Sequence, residues 1–143
     1  MVLGLLARMW ALPNTLLGLL LVPAAFIGGG RVGVMGGVLE AYGGLLVGLL
    51  RLWPPFSPGS AAVTLGHVVL AMTQRDLEES RAHERVHVRQ YERWGPLFLP
   101  AYALASLWAW VRGRDPYTGN RFEREAVART AAPGRGSALS ERP

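Results

Sequence analysis

Hydrophobic and polar residues follow a helical period most clearly between Thr73 and Trp94. Thr73 and Asp76 form a typical N-terminal cap, and Gly95-Pro96 ends the pattern. At about 100° per residue, one face of the predicted helix is directed inward and the other outward. The inward face comprises Leu77, Ser80, His83, Glu84, His87, Val88, Tyr91 and Trp94. The outward face, which we expect to be solvated, comprises Arg75, Glu78, Arg81, Arg85, Arg89, Glu92 and Arg93.

Shorter patterns before this helix predict a small sheet. Two β-branched runs, Arg31–Met35 and Val38–Tyr42, flank Gly36-Gly37 and indicate a hairpin. The alternative, a membrane helix over 32–50, is disfavoured by Glu40 and six glycines. Residues 61–71 predict one further strand directly before the long helix. Between these strands, the pattern predicts a short helix over 45–52, ended by Pro54-Pro55, and a loop over 56–60.

Two apolar segments either cover the core or contact a membrane. A helix over 12–27 would be about 24 Å long, shorter than the roughly 30 Å of a bilayer core. We treat 1–30 as one hydrophobic N-terminal helix, either a membrane anchor or a cover for the core. The second segment, 97–111, has tryptophans near its ends, as at a membrane interface, and Pro100 predicts that its helix begins there. We therefore expect a membrane-associated protein, with a cytoplasmic one as the alternative.

The C-terminal part completes the predicted fold. Asp115 reads as a turn residue, and Asn120 begins a short helix that ends near Arg129. The predicted class is α+β, mostly helical, with a small sheet beside the long helix and hydrophobic flanking helices. We expect one domain over residues 1–130 and a disordered tail over 131–143.

Composition limits the chemistry. The chain has no cysteine, which excludes disulfides and thiolate metal ligands, so any transition metal must be held by histidine and carboxylate. The net charge is +5, but no nucleic-acid-binding motif accompanies it, and we expect no nucleic-acid partner.

The sequence His83-Glu84-Arg85-Val86-His87 carries the candidate chemistry. Two histidines four residues apart lie on one helical face and can hold a zinc ion. Glu84 beside them can act as general base toward a zinc-bound water. The alternative is a core histidine and a glutamate paired with an arginine. Three ionisable groups on an inward face would be costly without a partner, however, and a metal supplies one.

A catalytic zinc needs a third protein ligand. Glu123 and Glu125 are the candidates, on the C-terminal helix. Each has another explanation, since Asn120-x-x-Glu123 matches a capping box and Glu125 can be a solvated charge. The remaining histidine, His67, is not assigned as a ligand, because a strand histidine more often bonds to neighbouring backbone.

A family resemblance bears on this choice. The segments 83–90, 95–100 and 122–126 resemble a gluzincin-type metallopeptidase, and are similar to small bacterial proteins with H-E-x-x-H-x-x-Q followed by G-P-L-[FY]-L. The element Phe122-Glu123-x-x-Ala126 also resembles the third-ligand segment of the CAAX-protease and heat-shock-protease group. By this match Glu123 is the ligand. The aspartate of that group is replaced by Val127, which implies weaker support for the metal.

The helical phase agrees with the resemblance. Phe122 and Ala126 mark a buried side with Glu123 beside it, whereas Glu125 shares an outward stripe with Arg121 and Arg129.

The resemblance implies a zincin-like fold in which the strand before the motif helix forms the sheet edge, where a peptide substrate could pair. The function expected is a zinc-dependent hydrolase acting on a peptide or protein, with Tyr91 or Tyr117 assisting the oxyanion. One alternative is a degenerate, membrane-associated interaction module that binds metal without catalysis. Another is a small membrane protein in which the motif is incidental.

Overall fold

The computed structural model describes residues 2–52 and 61–131, and its class is α+β, as predicted. The predictions for 53–60, including Pro54-Pro55 and the loop, and for the tail after 131 lie outside these residues. The helices are α1 (Val2–Trp10), α2 (Leu12–Leu21), α3 (Pro23–Phe26), α4 (Leu46–Leu52), α5 (Gln74–Trp94), α6 (Phe98–Val111) and α7 (Arg121–Thr130). The strands are β1 (Arg31–Met35), β2 (Val38–Tyr42), β3 (Ala62–Leu65) and β4 (Val68–Ala71).

The four strands form one mixed sheet in the order β1-β2-β4-β3. The hairpin of β1 and β2 is confirmed, and both turn glycines, Gly36 and Gly37, have positive φ. The prediction of one continuous strand over 61–71 is wrong. Gly66, at φ +61°, and His67 form a tight turn, so β3 and β4 pair antiparallel. As a result β3 lies at the sheet edge, whereas β4 lies between β3 and β2. The pairing of β4 with β2 is parallel.

Both faces of the sheet are covered, because alternate residues of each strand point to opposite sides. On one side, Val68 and Leu70 of β4 pack with residues of α3 and α4, such as Ala25 and Leu46. Gly18 of α2 lies so close to β4 on this side that an added Cβ would collide with Val68. On the other side, β2, β3 and β4 pack against α5 through a second cluster of buried residues. The sheet therefore fixes the face that α5 presents to the interior.

Helix α5 begins and ends as predicted. The Thr73 hydroxyl accepts a hydrogen bond from the backbone N–H of Asp76, and Gly95 at φ +54° terminates the helix. The expectation of a fully solvated outward face is wrong in part. Arg81 and Arg85 both form ion pairs with Glu40, which is buried in β2. Their guanidinium groups extend over the sheet, where Glu40 supplies the partner that a buried carboxylate requires.

The N-terminal segment forms three helices and not one. Pro13 and Pro23 each lie in the first turn of a new helix, where the missing N–H costs no hydrogen bond. Within 2–52 and 61–131 no single helix is both long enough and apolar enough to cross a bilayer. One bent pair, Gly4–Trp10 with Leu12–Phe26, passes on length and composition together, with a bend of 61°.

The two C-terminal helices match the predictions closely. A 3-10 turn over Gly95–Leu97 leads directly into α6, which begins at Phe98 and not at Pro100. Pro100 fits because the first-turn N–H groups of a helix have no intrahelical acceptor. Helix α7 begins after Asn120, whose side chain accepts from the backbone N–H of Phe122.

Candidate metal centre

Helix α5 places the two motif histidines one turn apart on its inner face. Their rings meet edge to face, with centroids 4.8 Å apart, and their Nε2 atoms are 3.0 Å apart. The side chain of His87 is buried, whereas that of His83 is 19% exposed. The site therefore has an open side at His83.

Helix α7 crosses α5 and brings Glu123 to these rings. Oε2 of Glu123 lies 3.0 Å from Nε2 of His83, and Oε1 lies 3.3 Å from Nε2 of His87. Glu125 points away from them and pairs with Arg93 and Arg129. The predicted helical phase is therefore correct.

The separations between the side chains of His83, His87 and Glu123 are compatible with a small metal ion. Zinc binds histidine nitrogen and carboxylate oxygen at about 2.0–2.1 Å with tetrahedral geometry, which places neighbouring ligand atoms about 3.3 Å apart. Nε2 of His83 lies 3.0 Å from Nε2 of His87 and 3.0 Å from Oε2 of Glu123, and the other carboxylate oxygen, Oε1, lies 3.3 Å from Nε2 of His87. The three residues thus form a group that could hold a metal ion.

Gln90 determines which nitrogen of His87 faces the group. Its amide nitrogen donates to the carbonyl of Phe122 and to the Glu125 carboxylate, both of which can only accept. The amide oxygen must therefore face Nδ1 of His87, at 2.8 Å. Nδ1 carries the proton, and in the neutral ring Nε2 presents a lone pair toward His83 and Glu123.

This arrangement could hold a cation. Nε2 of His83 lies equally close to Nε2 of His87 and to Oε2 of Glu123, and one N–H proton cannot lie along both lines. A metal ion at the centre would satisfy all three atoms at once. The directions of the pKa shifts agree with a positive charge at this position, because a positive charge is favoured beside a buried carboxylate. Burial alone would raise the pKa of Glu123, but the neighbouring His83 and His87 lower it overall. Burial alone would lower the pKa of His87, and Glu123 reverses that effect.

Tyr102 is part of the site, and sequence reasoning missed it. Its hydroxyl donates to Oε1 of Glu123 at 2.6 Å, which leaves Oε2 directed at His83. Asn120 fixes α7 against α6 through the carbonyl of Tyr102 and the hydroxyl of Ser106. The only signal was a phenol among the apolar residues of α6. Tyr117 also lies near the site, since burial and the nearby Glu123 raise its pKa.

Glu84 belongs to α5, and its side chain contacts β3. Its side chain is buried, and its Oε2 accepts a hydrogen bond of 2.6 Å from the hydroxyl of Thr64. The Tyr91 hydroxyl donates to the Thr64 carbonyl, so Tyr91 positions β3 and is not placed to assist an oxyanion.

Two further predicted residues lie outside the group. His67, in the turn between β3 and β4, bonds through Nε2 to Glu92, and its backbone N–H donates to the Thr15 hydroxyl. The expected backbone partner of its ring is thus replaced by side chains. Asp115 accepts from the backbone N–H groups of Tyr117 and Thr118, as predicted for a turn residue.

The position of Val127 bears on the expected weakness of metal support. Val127 is 58% exposed and points away from the buried face of α7. An aspartate there would face solvent in this chain. Polar support comes instead from Tyr102, which bonds to Glu123, and from Gln90, which bonds to His87.

Searches for related sequences and structures, made against protein families, curated proteins and solved structures, found no match. The resemblance to gluzincins therefore rests on the motif residues alone.

Proposed function

We propose that this protein is a zinc-dependent hydrolase of the metallopeptidase type, with a zincin-like fold. The observation that carries the proposal is the convergence of His83, His87 and Glu123, with the buried carboxylate of Glu84 near enough to act on the pKa of His87. Two imidazoles and one carboxylate are a donor set used by catalytic zinc, and three protein ligands leave one position open. The partial exposure of His83 gives that position a route to solvent.

Zinc, when bound, would supply a Lewis acid and lower the pKa of its water to about 7. The side chains of the protein supply the remaining roles in the proposed reaction. Glu84 accepts the proton of the attacking water, and the hydroxyl of Thr64 holds Oε2 of Glu84 in place. Gln90 keeps the Nε2 lone pair of His87 available, and Tyr102 keeps Glu123 oriented. Tyr117, whose pKa is raised by burial and by Glu123, keeps its proton and is a candidate donor to the carbonyl oxygen under attack.

The strand arrangement supports the zincin-like fold in part. Edge strand β3 runs along α5, and its Thr64 contacts the glutamate of the motif. A peptide is the proposed substrate because the site is next to a strand edge, where extended chains can bind.

A second candidate is a metal-stabilised module without catalysis. The hydrogen bond from Thr64 gives Glu84 a structural role that requires no reaction. In this case the metal would join α5 to α7, and Glu84 would only anchor β3.

The test combines metal analysis with two variants. Protein purified without added zinc is analysed for bound metal, and its cleavage of a peptide library is followed by mass spectrometry. Glu84→Gln should keep the metal and lose turnover, whereas His87→Ala should lose both. Protein that carries no metal and is not stabilised by added zinc would refute the metal centre. Cleavage that persists in Glu84→Gln would refute the assigned general base, and metal binding without any cleavage would favour the second candidate.

A further inference from the structure

An apolar groove lies between α6 and α7, next to the end of α5 and separate from the metal ligands. It has a volume of about 750 Å³, and Trp94, Leu104, Trp108 and Phe122 are among its apolar lining residues. Volumes of about 300–1,000 Å³ are usual for sites that hold small molecules. Of the residues near the metal centre it shares only Phe122, and it contains none of the three proposed ligands.

The rim of the groove is positively charged. Arg114, Arg121 and Arg124 line it, and no acidic residue does. All three are exposed, and none forms an ion pair within 2–52 and 61–131. Nearby, Arg112 lies over the ring of Trp108, with its guanidinium carbon 4.3 Å from the ring centroid. The carboxyl of Asp115 faces its own turn, where it accepts three hydrogen bonds from Tyr117 and Thr118. The arginines are therefore available to an external anion.

The apolar lining continues onto an exposed surface of α6. Leu104, Trp108 and Val111 are each at least 60% exposed. Helices α1 and α2, which pack on the same 3-10 turn that begins α6, expose a second set of large apolar residues. This set includes Leu5, Leu6, Met9, Trp10, Leu16 and Leu20. Soluble monomers rarely expose apolar surface on this scale, and such surface marks a protein or membrane contact.

A lipid fits these features better than a peptide does. Apart from the arginines and the indole N–H groups, the lining offers no polar side chain, and the backbone of α6 is used within its own helix. A peptide backbone in this groove would lose hydrogen bonds to water without replacing them. An acyl chain has no such requirement. A phosphate group at its end would meet guanidinium groups, which bind phosphate through paired hydrogen bonds, and tryptophans suit the level of the headgroups.

We propose that the groove between α6 and α7 binds an anionic phospholipid of a bilayer surface. The acyl chain lies along Leu104 and Trp108, and the headgroup phosphate lies among Arg114, Arg121 and Arg124. The exposed residues of α6 enter the same bilayer. This inference is independent of the proposed hydrolase activity, since it uses none of the metal ligands.

Vesicle binding of the full chain tests the charge. Sedimentation is compared between vesicles of phosphatidylcholine and vesicles that also contain phosphatidylglycerol. We expect tighter binding to the anionic vesicles, with a blue shift of tryptophan emission. The variant Arg114→Gln/Arg124→Gln should weaken anionic binding about fivefold for each arginine lost. The control Arg75→Gln/Arg89→Gln removes the same charge from α5, outside the groove, and should weaken it clearly less.

A second pair of variants tests the apolar contact. Leu104→Gln should weaken binding to both kinds of vesicle, whereas Val34→Gln, at a similarly exposed position on β1, should not. Because both residues are exposed, the variants should fold, and the circular dichroism of each is compared with that of the unchanged protein to verify this. Absence of vesicle binding would overturn the proposal, as would equal losses in the groove variants and their controls. A change of oligomeric state in Leu104→Gln would also overturn it and make the groove an interface between copies of the chain.

Discussion

Exchanging Glu123 for glutamine distinguishes the two glutamates of α7 and tests the metal centre directly. In Glu123→Gln the carboxylate charge disappears from a position that is 4% exposed. If the new amide oxygen keeps the hydrogen bond from Tyr102, the amide N–H₂ faces Nε2 of His83. A lone pair that could bind a cation is thus replaced by a donor that repels one.

The size of the effect follows from the burial of the site. A unit charge about 4 Å from another at an effective dielectric of about 20 contributes roughly 4 kcal/mol. Loss of a hydrogen-bond partner of a metal ligand typically costs about 10–100-fold in affinity, and loss of the ligand should cost at least as much. We therefore expect zinc affinity to fall about 100- to 1,000-fold in Glu123→Gln. In Glu125→Gln it should fall less than about fivefold, because Glu125 forms partly exposed pairs with Arg93 and Arg129, and Gln90 keeps its other acceptor, the carbonyl of Phe122.

Two readouts measure this difference. Competition with a chromophoric chelator gives the affinity, and thermal unfolding with and without zinc gives the linked stabilisation. Zinc at 100 times its dissociation constant stabilises the folded state by about 2.7 kcal/mol. For a chain of this size that raises Tm by roughly 5–10 °C. In Glu123→Gln the same zinc concentration should raise Tm by only about 1 °C. Comparison within each variant removes any effect of the substitution on the metal-free protein.

The opposite result would refute the assignment. A large loss in Glu125→Gln with little change in Glu123→Gln would transfer the ligand to Glu125 and show that α7 is rotated from the orientation described. Equal and small losses of zinc affinity in both variants would mean that neither glutamate is a ligand and that the zinc is held by other groups.

Two other predictions concern residues that orient the metal ligands, and a third concerns the stability of the fold. Gln90→Ala removes the acceptor that fixes the ring of the second motif histidine, and chelator competition should show zinc affinity falling about 10- to 100-fold. Tyr102→Phe removes one donor to the metal-facing carboxylate and should weaken zinc by about tenfold by the same assay, with the helix content in circular dichroism unchanged. Gly66→Ala forces a side chain into a turn at φ +61° that is packed against α2. Denaturant unfolding should show a loss of about 2–5 kcal/mol, whereas Gly33→Ala, which has open space, should change stability by less than about 1 kcal/mol.

Local signals predicted the elements that carry the motif. The cap at Thr73 and the glycine at 95 act within one turn of α5, so the ends of that helix could be derived from neighbours in sequence. The Gly36-Gly37 turn is local in the same sense. The division of 61–71 into two strands was missed because Gly66 and His67 stand inside a continuous apolar run. Every residue of β4 is buried, since the sheet is covered on both faces, and the alternation that would reveal a hairpin is lost.

The partners of the metal centre were harder to predict because they come from distant segments. Tyr102 reaches Glu123 only when α6 and α7 pack together, and its apolar neighbours on α6 gave no reason to expect a polar contact. Thr64 reaches Glu84 because β3 forms the sheet edge along α5. Glu123 itself fits a capping box with Asn120 equally well in sequence, and only the crossing of α7 over α5 turns its carboxylate toward the histidines. The ligand type at each position was therefore accessible from sequence, whereas the hydrogen bonds that orient those ligands depend on tertiary packing.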